Sequence, residues 1–94
     1  MKFQLGQVVA TPAALKALEE AGQEPSFFLD KHVAGDWGEV DDGDKRANEE
    51  ALVNGDRLLS AYRTLKNVRL WIITEAVDDQ GQRAATTILL PEEY

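Results

Sequence analysis

The chain has 94 residues, which is the size of one domain, and its mixture of 44% hydrophobic and 29% charged residues is typical of a globular protein. It contains no cysteine, so disulfides, thiolate zinc sites, iron–sulfur clusters and cysteine nucleophiles are excluded. The net charge is −7, which disfavours direct binding to nucleic-acid phosphates or to an anionic membrane.

Two helices are predicted near the start of the chain. Thr11 is a good N-cap and Pro12 a good first helical residue, and apolar residues follow at helical spacing until Gly22, which can end the helix. Pro25 opens a second helix, which we expect to end at Gly35.

A third helix is predicted to begin at Asp41 or Asp42 and to run to about Val53, with Gly55 as its C-terminal stop. Its apolar side is thin, so we expect it to lie on the surface with its acids in water. Residues 36–56 hold eight acids against two basic residues, which is nearly the whole charge imbalance. These acids are Asp36, Glu39, Asp41, Asp42, Asp44, Glu49, Glu50 and Asp56.

The second half of the chain is predicted to form strands. Leu58–Leu65 and Val68–Val77 are joined by a connection short enough for a hairpin, and Ala84–Leu90 is a third strand. Pro91 ends it because proline has no N–H to donate to a sheet. Phe3–Ala10 is a further short strand or extended segment. This order predicts an α+β fold in one small domain over residues 1–94, with two or three N-terminal helices packed on a C-terminal antiparallel meander of three or four strands.

The central predicted strand is apolar on both faces, with Trp71 on one side and Ile72 on the other. Three short helices can cover one face of a small sheet, but the chain is too short to cover all of the second. We therefore predict an incompletely covered face as a docking site for another protein, either around Trp71 and Tyr62 or at the Asp36-Trp37 turn. Tyr94 can fold back onto the sheet edge. An exposed edge leaves monomer and homodimer both open.

Several short motifs occur together along the chain. They are His32, Gly35-Asp36-Trp37-Gly38, Asn48, Arg57–Tyr62, Trp71–Ala76 and Thr86–Tyr94. With them, residues 5–94 resemble a family of short bacterial proteins, often found on plasmids and other mobile elements and commonly labelled "plasmid-related protein". The turn over residues 77–83 is longer than in the family's pattern. The resemblance implies no established activity.

Some relatives carry a restriction-modification label. This chain has no glycine-rich cofactor loop and no Asn-Pro-Pro motif, and it is too short for a cofactor-binding doubly wound sheet. A methyltransferase is therefore excluded.

His32 is the only histidine, and with Asp36 and Ser60 it offers the residue types of a nucleophilic triad. However, Ser60 lacks a Gly-x-Ser-x-Gly elbow and His32 falls on the apolar face of its helix, so a packed, hydrogen-bonded histidine is favoured. One histidine without cysteine offers no good transition-metal set. The acidic segment fails the calcium-loop pattern because Gly38 and Val40 stand where side-chain oxygens are needed. We expect neither a metal nor a cofactor.

The remaining candidate side chains each have a structural alternative. Glu75 lies in the apolar central strand, where burial would suit it to general acid–base work, but an ion pair with a nearby arginine (Arg57, Arg63, Arg69 or Arg83) is favoured. Trp37, Tyr62 and Trp71 form either a stacking platform or, as favoured, ordinary core aromatics.

Three functions follow from these observations. The preferred hypothesis is a non-catalytic interaction or regulatory accessory protein of a bacterial mobile element. The second is an acidic DNA-mimic inhibitor of a restriction or defence nuclease, and the third is a small enzyme using His32 and Asp36. No apolar run approaches the roughly 20 residues of a membrane span, and the start of the chain has no signal-peptide core, so we expect a cytoplasmic protein.

Overall fold

The computed structural model describes residues 1–94 and contains one sheet with three α-helices. The elements in chain order are β1 (Gln7–Ala10), α1 (Pro12–Ala21), α2 (Pro25–Val33), α3 (Asp42–Asn54), β2 (Leu58–Arg63), β3 (Arg69–Thr74), β4 (Ala85–Leu89) and a 3-10 turn (Pro91–Glu93). The strand order is β1-β4-β3-β2. None of the helices has the length and apolar character needed to cross a membrane.

The α+β fold and the antiparallel meander of β2, β3 and β4 are confirmed. The sheet as a whole is mixed rather than antiparallel, because β1 lies parallel to β4 at the edge of the sheet. Parallel neighbours need a long connection, and here that connection contains all three helices and the β2–β3 hairpin. Each observed strand of the meander is shorter than the strand predicted from the sequence.

The helix boundaries follow the local signals in the sequence. Thr11 Oγ1 accepts a hydrogen bond from Ala14 N at 3.1 Å, and an Asp41 carboxylate oxygen accepts one from Asp44 N at 2.7 Å. Side-chain oxygens thus satisfy amides that the first helical turn leaves free. Helices α1 and α3 end at glycines with positive φ, as predicted, whereas α2 ends at Val33.

All three helices cover the same face of the sheet, which we call the inner face. Its main core combines helix residues with alternate residues of the strands: Ala14, Leu18, Phe28, Tyr62, Leu70, Ile72 and Ile88. Helix α3 joins this side through Ala51, which packs with Trp37 and the inner-face residue Leu58. The opposite face, which we call the outer face, has no α-helix on it.

The free edge of β2 is closed by the chain itself. Ala61 N donates to Trp37 O at 3.0 Å, and Ala61 O accepts from Glu39 N at 2.7 Å. The carboxamide of Asn48 donates to Leu59 O at 2.7 Å and accepts from Leu59 N at 3.0 Å. The outward main-chain groups of Leu59 and Ala61 are thereby satisfied, so this part of the edge is protected from pairing with another chain.

Candidate functional site

His32 lies in the interior, with no surface exposed to solvent, within a chain of hydrogen bonds. Its Nδ1 lies 2.5 Å from Ser60 Oγ and its Nε2 lies 2.9 Å from Thr74 Oγ1. Thr74 Oγ1 is 2.7 Å from Thr86 Oγ1, which donates to Leu5 O at 2.7 Å. Because Leu5 O can only accept, the Thr86 and Thr74 hydroxyls donate toward it, and His32 Nε2 carries a proton that it donates to Thr74 Oγ1.

Burial keeps His32 neutral, and its Nδ1 then accepts from the Ser60 hydroxyl. Burial lowers the pKa of His32 from 6.5 to about 4, since the charged ring would lose its hydration in the interior. The network joins α2 to three strands and to the N-terminal segment. His32 therefore has a structural role in positioning α2 on the sheet.

Asp36 lies on the surface and does not pair with His32. Its carboxylate contacts Lys31 Nζ at 3.7 Å and accepts from Gly38 N at 3.3 Å, while its main-chain oxygen accepts from Tyr62 Oη at 2.5 Å. Burial raises the pKa of Tyr62 to about 12, so its hydroxyl remains a donor. Because His32 is buried and the Asp36 carboxylate contacts Lys31 and Gly38 instead, the two side chains do not form a catalytic pair.

Trp37 is a core residue. Its side chain is buried, its ring stacks on Phe3 at 6.1 Å between centroids, and it meets His32 edge-on at 5.8 Å. The indole Nε1 donates to a Glu49 carboxylate oxygen at 2.9 Å. The Asp36-Trp37 turn therefore secures α3 and the β2 edge, and its aromatic ring is not available to a partner.

Tyr62 and Trp71 lie on opposite faces of the sheet, so the prediction of one shared surface is wrong. Ala61 is the residue directly opposite Trp71, and Tyr62 is opposite Leu70. Successive side chains of a strand point to opposite faces, which sends Tyr62 inward against Phe28, at 5.5 Å between ring centroids. Only Trp71 belongs to the outer face.

The outer face carries an aromatic pair in place of a helix. Trp71 is half-buried and meets Tyr94 edge-on at 5.6 Å between ring centroids. Tyr94 is 69% exposed, and the Arg57 guanidinium lies over its ring and donates to its hydroxyl. Tyr94 thus folds back across the outer face and holds the Trp71 ring in place.

Beside the aromatic pair is a shallow depression of about 300 Å³. Its floor is formed by Ile73, Thr87 and Leu89, and Arg57, Tyr94 and Glu75 form its walls. The Glu75 side chain is exposed and makes no ion pair, contrary to the favoured prediction.

Two further arginines lie on the same face. Arg63 and Arg69 are directly opposite each other at the hairpin end of β2 and β3, and both occupy positions that alternate in phase with Trp71. We call Arg57, Arg63, Arg69, Trp71 and Tyr94 together the Trp71 surface. From the sequence these arginines were expected only as partners of Glu75, although the spacing of Arg69 and Trp71 within one strand already indicates a shared face.

Arg83 has a structural role that the sequence did not reveal. Its guanidinium is buried and donates to three main-chain oxygens, those of Ala51 at 3.1 Å, Asp56 at 2.6 Å and Glu75 at 2.9 Å. Burial lowers its pKa, because the charge loses hydration without a carboxylate in contact. Arg83 therefore ties the last turn of α3 to the strands and replaces the predicted Glu75 ion pair.

No three or more His, Asp or Glu side chains lie close enough together to hold a metal ion. The Trp71 surface is thus the candidate functional site: an aromatic and aliphatic patch bordered by arginines. Comparison of the chain with known protein families, with curated proteins and with solved structures finds no significant match.

Proposed function

We propose that this chain is a non-catalytic protein-interaction module, an accessory protein of a bacterial mobile element, which binds its partner protein through the Trp71 surface. The observation that carries this proposal is the sheet face without an α-helix, on which Trp71 and Tyr94 pack together. The mobile-element context comes from the motif resemblance over residues 5–94.

The residue types on this face support a binding role. Tryptophan, tyrosine and arginine dominate the energetics of protein interfaces, because each combines a large apolar area with a polar or charged group. Tyr94 and Arg57 already hold the Trp71 ring on one side, so little side-chain freedom remains to be lost on binding. A preorganised aromatic centre of this kind suits an interface better than a flexible loop would.

Replacing Trp71 by alanine should remove most of the affinity for the partner. A central aromatic side chain at an interface contributes about 2 kcal/mol, which corresponds to about 30-fold in Kd. The measurement is affinity purification of the tagged protein from its native host, followed by quantitative mass spectrometry and by Kd determination with the purified partner.

The matched control is Val53→Ala, which removes an apolar side chain that is 85% exposed on α3, away from the outer face. Tyr94→Ala serves as a second test variant, because its exposed ring lies outside the core. A partner that binds the Trp71 and Tyr94 variants as tightly as the Val53 variant contradicts the proposal.

A second candidate function is a DNA-mimic inhibitor of a restriction or defence nuclease. It is favoured by the exposure of Asp42, Asp44 and Glu50, which present carboxylates from the surface of α3. Lys45 and Arg46 lie among them, which weakens the likeness to an unbroken row of phosphates. This function therefore ranks below docking through the Trp71 surface.

Neutralising Asp42, Asp44 and Glu50 together, as Asn, Asn and Gln, should abolish nuclease inhibition if α3 imitates DNA. Asp41 and Glu49 are left unchanged, because Asp41 caps α3 and Glu49 accepts the Trp37 hydrogen bond. The measurement is the rate of DNA cleavage by the host's restriction enzyme in the presence of each protein. Inhibition that persists in the triple variant removes this candidate.

A further inference from the structure

We infer that the partner of the Trp71 surface presents an acidic peptide segment, in which carboxylates flank an apolar side chain. This inference rests on the proposed function and adds the chemistry of the partner to it. Three features of the outer face support it: its arginines, the shortage of carboxylate partners for them, and the apolar site between them.

Charge is distributed unevenly over the molecule. The chain as a whole carries a net charge of −7, yet three of its ten basic residues, all arginines, lie on the outer face. Eight of the acids fall within residues 36–56, and α3, which carries several of them, packs through Ala51 on the inner side. The Trp71 surface has three arginines against two carboxylates, Glu39 beside Arg63 and Glu75 beside the depression. It is therefore a locally cationic area on an acidic protein, and it complements a partner of negative charge.

The two arginines at the hairpin end lack sufficient counter-charge. Arg63 and Arg69 are cross-strand neighbours, and like charges placed directly opposite each other destabilise a sheet. Arg63 Nε contacts a Glu39 carboxylate oxygen at 2.7 Å, whereas Arg69 makes no side-chain hydrogen bond and no ion pair. A carboxylate supplied by a partner would relieve this repulsion and use the unoccupied fork of donors on Arg69.

Arg57 provides a second anchor at the other end of the surface. It contacts the Tyr94 ring and hydroxyl and has no carboxylate partner. Between the arginines lie Trp71 and the depression floored by Ile73 and Leu89, which fits one aliphatic or aromatic side chain. The surface thus presents Arg63 and Arg69 at one end, an apolar site in the middle, and Arg57 at the other end, where the Glu75 carboxylate also borders the depression.

This arrangement favours a peptide over a single-stranded nucleic acid. A nucleic-acid strand carries one phosphate per nucleotide along its whole length, so it would also meet the repulsion of a chain with net charge −7. In addition, the edge-on packing of Tyr94 against Trp71 occupies part of the ring that a base would stack on. A short acidic peptide can pair with the few arginines of the Trp71 surface without extending further negative charge over the acidic remainder of the protein.

The test is selection of short random peptides by display against the purified full chain, at physiological salt. We expect the selected peptides to be enriched in Asp and Glu on either side of an apolar residue. For the best peptide, synthesised and titrated by calorimetry, we expect Arg69→Gln to weaken Kd about five- to tenfold. The matched control is Arg46→Gln, the same substitution at an exposed position on α3 without side-chain partners, and it should leave Kd unchanged.

The possible outcomes separate the inference from the proposed function. Peptides that lose affinity on Trp71→Ala and Tyr94→Ala, but are neutral or basic and insensitive to Arg69→Gln, overturn the inference and leave the docking function standing. Peptides that bind both aromatic variants as well as the wild type overturn both. A thymidine oligonucleotide that binds more tightly than the selected peptides, and depends on Trp71 and Arg69, overturns the inference in favour of nucleic acid.

Discussion

Replacing Gly38 by alanine should lower the free energy of unfolding by about 3 to 5 kcal/mol. A Cβ at this position would collide with Ala61 O and lie 2.7 Å from the Tyr62 ring, and Gly38 has a φ of 75°, which strains any other residue. The alanine must therefore displace the segment from β2. Urea denaturation followed by circular dichroism measures the loss.

The matched control for this prediction is Gly22→Ala. Gly22 also has a positive φ, 66°, but a Cβ there meets no atom within 4 Å. The free energy of unfolding of the Gly22→Ala variant should fall by only about 1 to 2 kcal/mol, which is the cost of placing alanine in the left-handed conformation. Equal losses for the two variants would mean that the contact between the Gly38 segment and β2 contributes little, and that the Asp36-Trp37-Gly38 turn does not secure the β2 edge.

The protein should lose about 3 kcal/mol of stability as the pH falls from about 6.5 to about 4, through His32 alone. The pKa of His32 is about 4 in the folded protein against 6.5 as the unperturbed value, so in this window the unfolded chain binds one more proton than the folded one. This contribution is fully present above pH 6.5 and decreases by about 1.4 kcal/mol per pH unit below it.

The carboxylates also titrate near the lower end of this range, so the comparison uses a variant. His32→Gln has no titrating ring, and the difference in unfolding free energy between wild type and variant should shrink as the pH is lowered. Nuclear magnetic resonance of the His32 ring protons gives the folded pKa directly. A midpoint near 6.5, together with a pH-independent difference, would show that the ring is hydrated and would contradict the sealed hydrogen-bonded chain.

The helices could be predicted because their signals are local. Thr11 and Asp41 act through hydrogen bonds to amides three residues further along, and Gly22 and Gly55 end helices through their own φ. The meander could be predicted for a similar reason, since alternation and short connections favour antiparallel neighbours. The position of β1 could not, because its partner β4 is distant in the sequence and nothing in either strand specifies their pairing.

The candidate site was only partly predictable. The apolar character of both faces of β3, together with the small helical layer, led to the expectation of an incompletely covered face near Trp71, and Trp71 is half-buried on the face that carries no α-helix. Its neighbours depend on the β2–β3 register, and a shift of one residue moves every side chain of a strand to the other face. The observed register pairs Ala61 with Trp71. It places the Tyr62 side chain on the inner face and the Arg63 side chain on the outer face, beside Arg69.

The sequence by itself determined the caps of α1 and α3 and the antiparallel meander, since each depends on residues a few positions apart. The burial of His32 and Trp37 was already favoured from the sequence and is confirmed. Only the tertiary structure decided which groups they contact, that Arg83 binds main-chain oxygens, and that arginines lie beside Trp71. These features arise from contacts between distant segments. Their free energy depends on how the helices and strands pack against one another, and no local pattern specifies that packing.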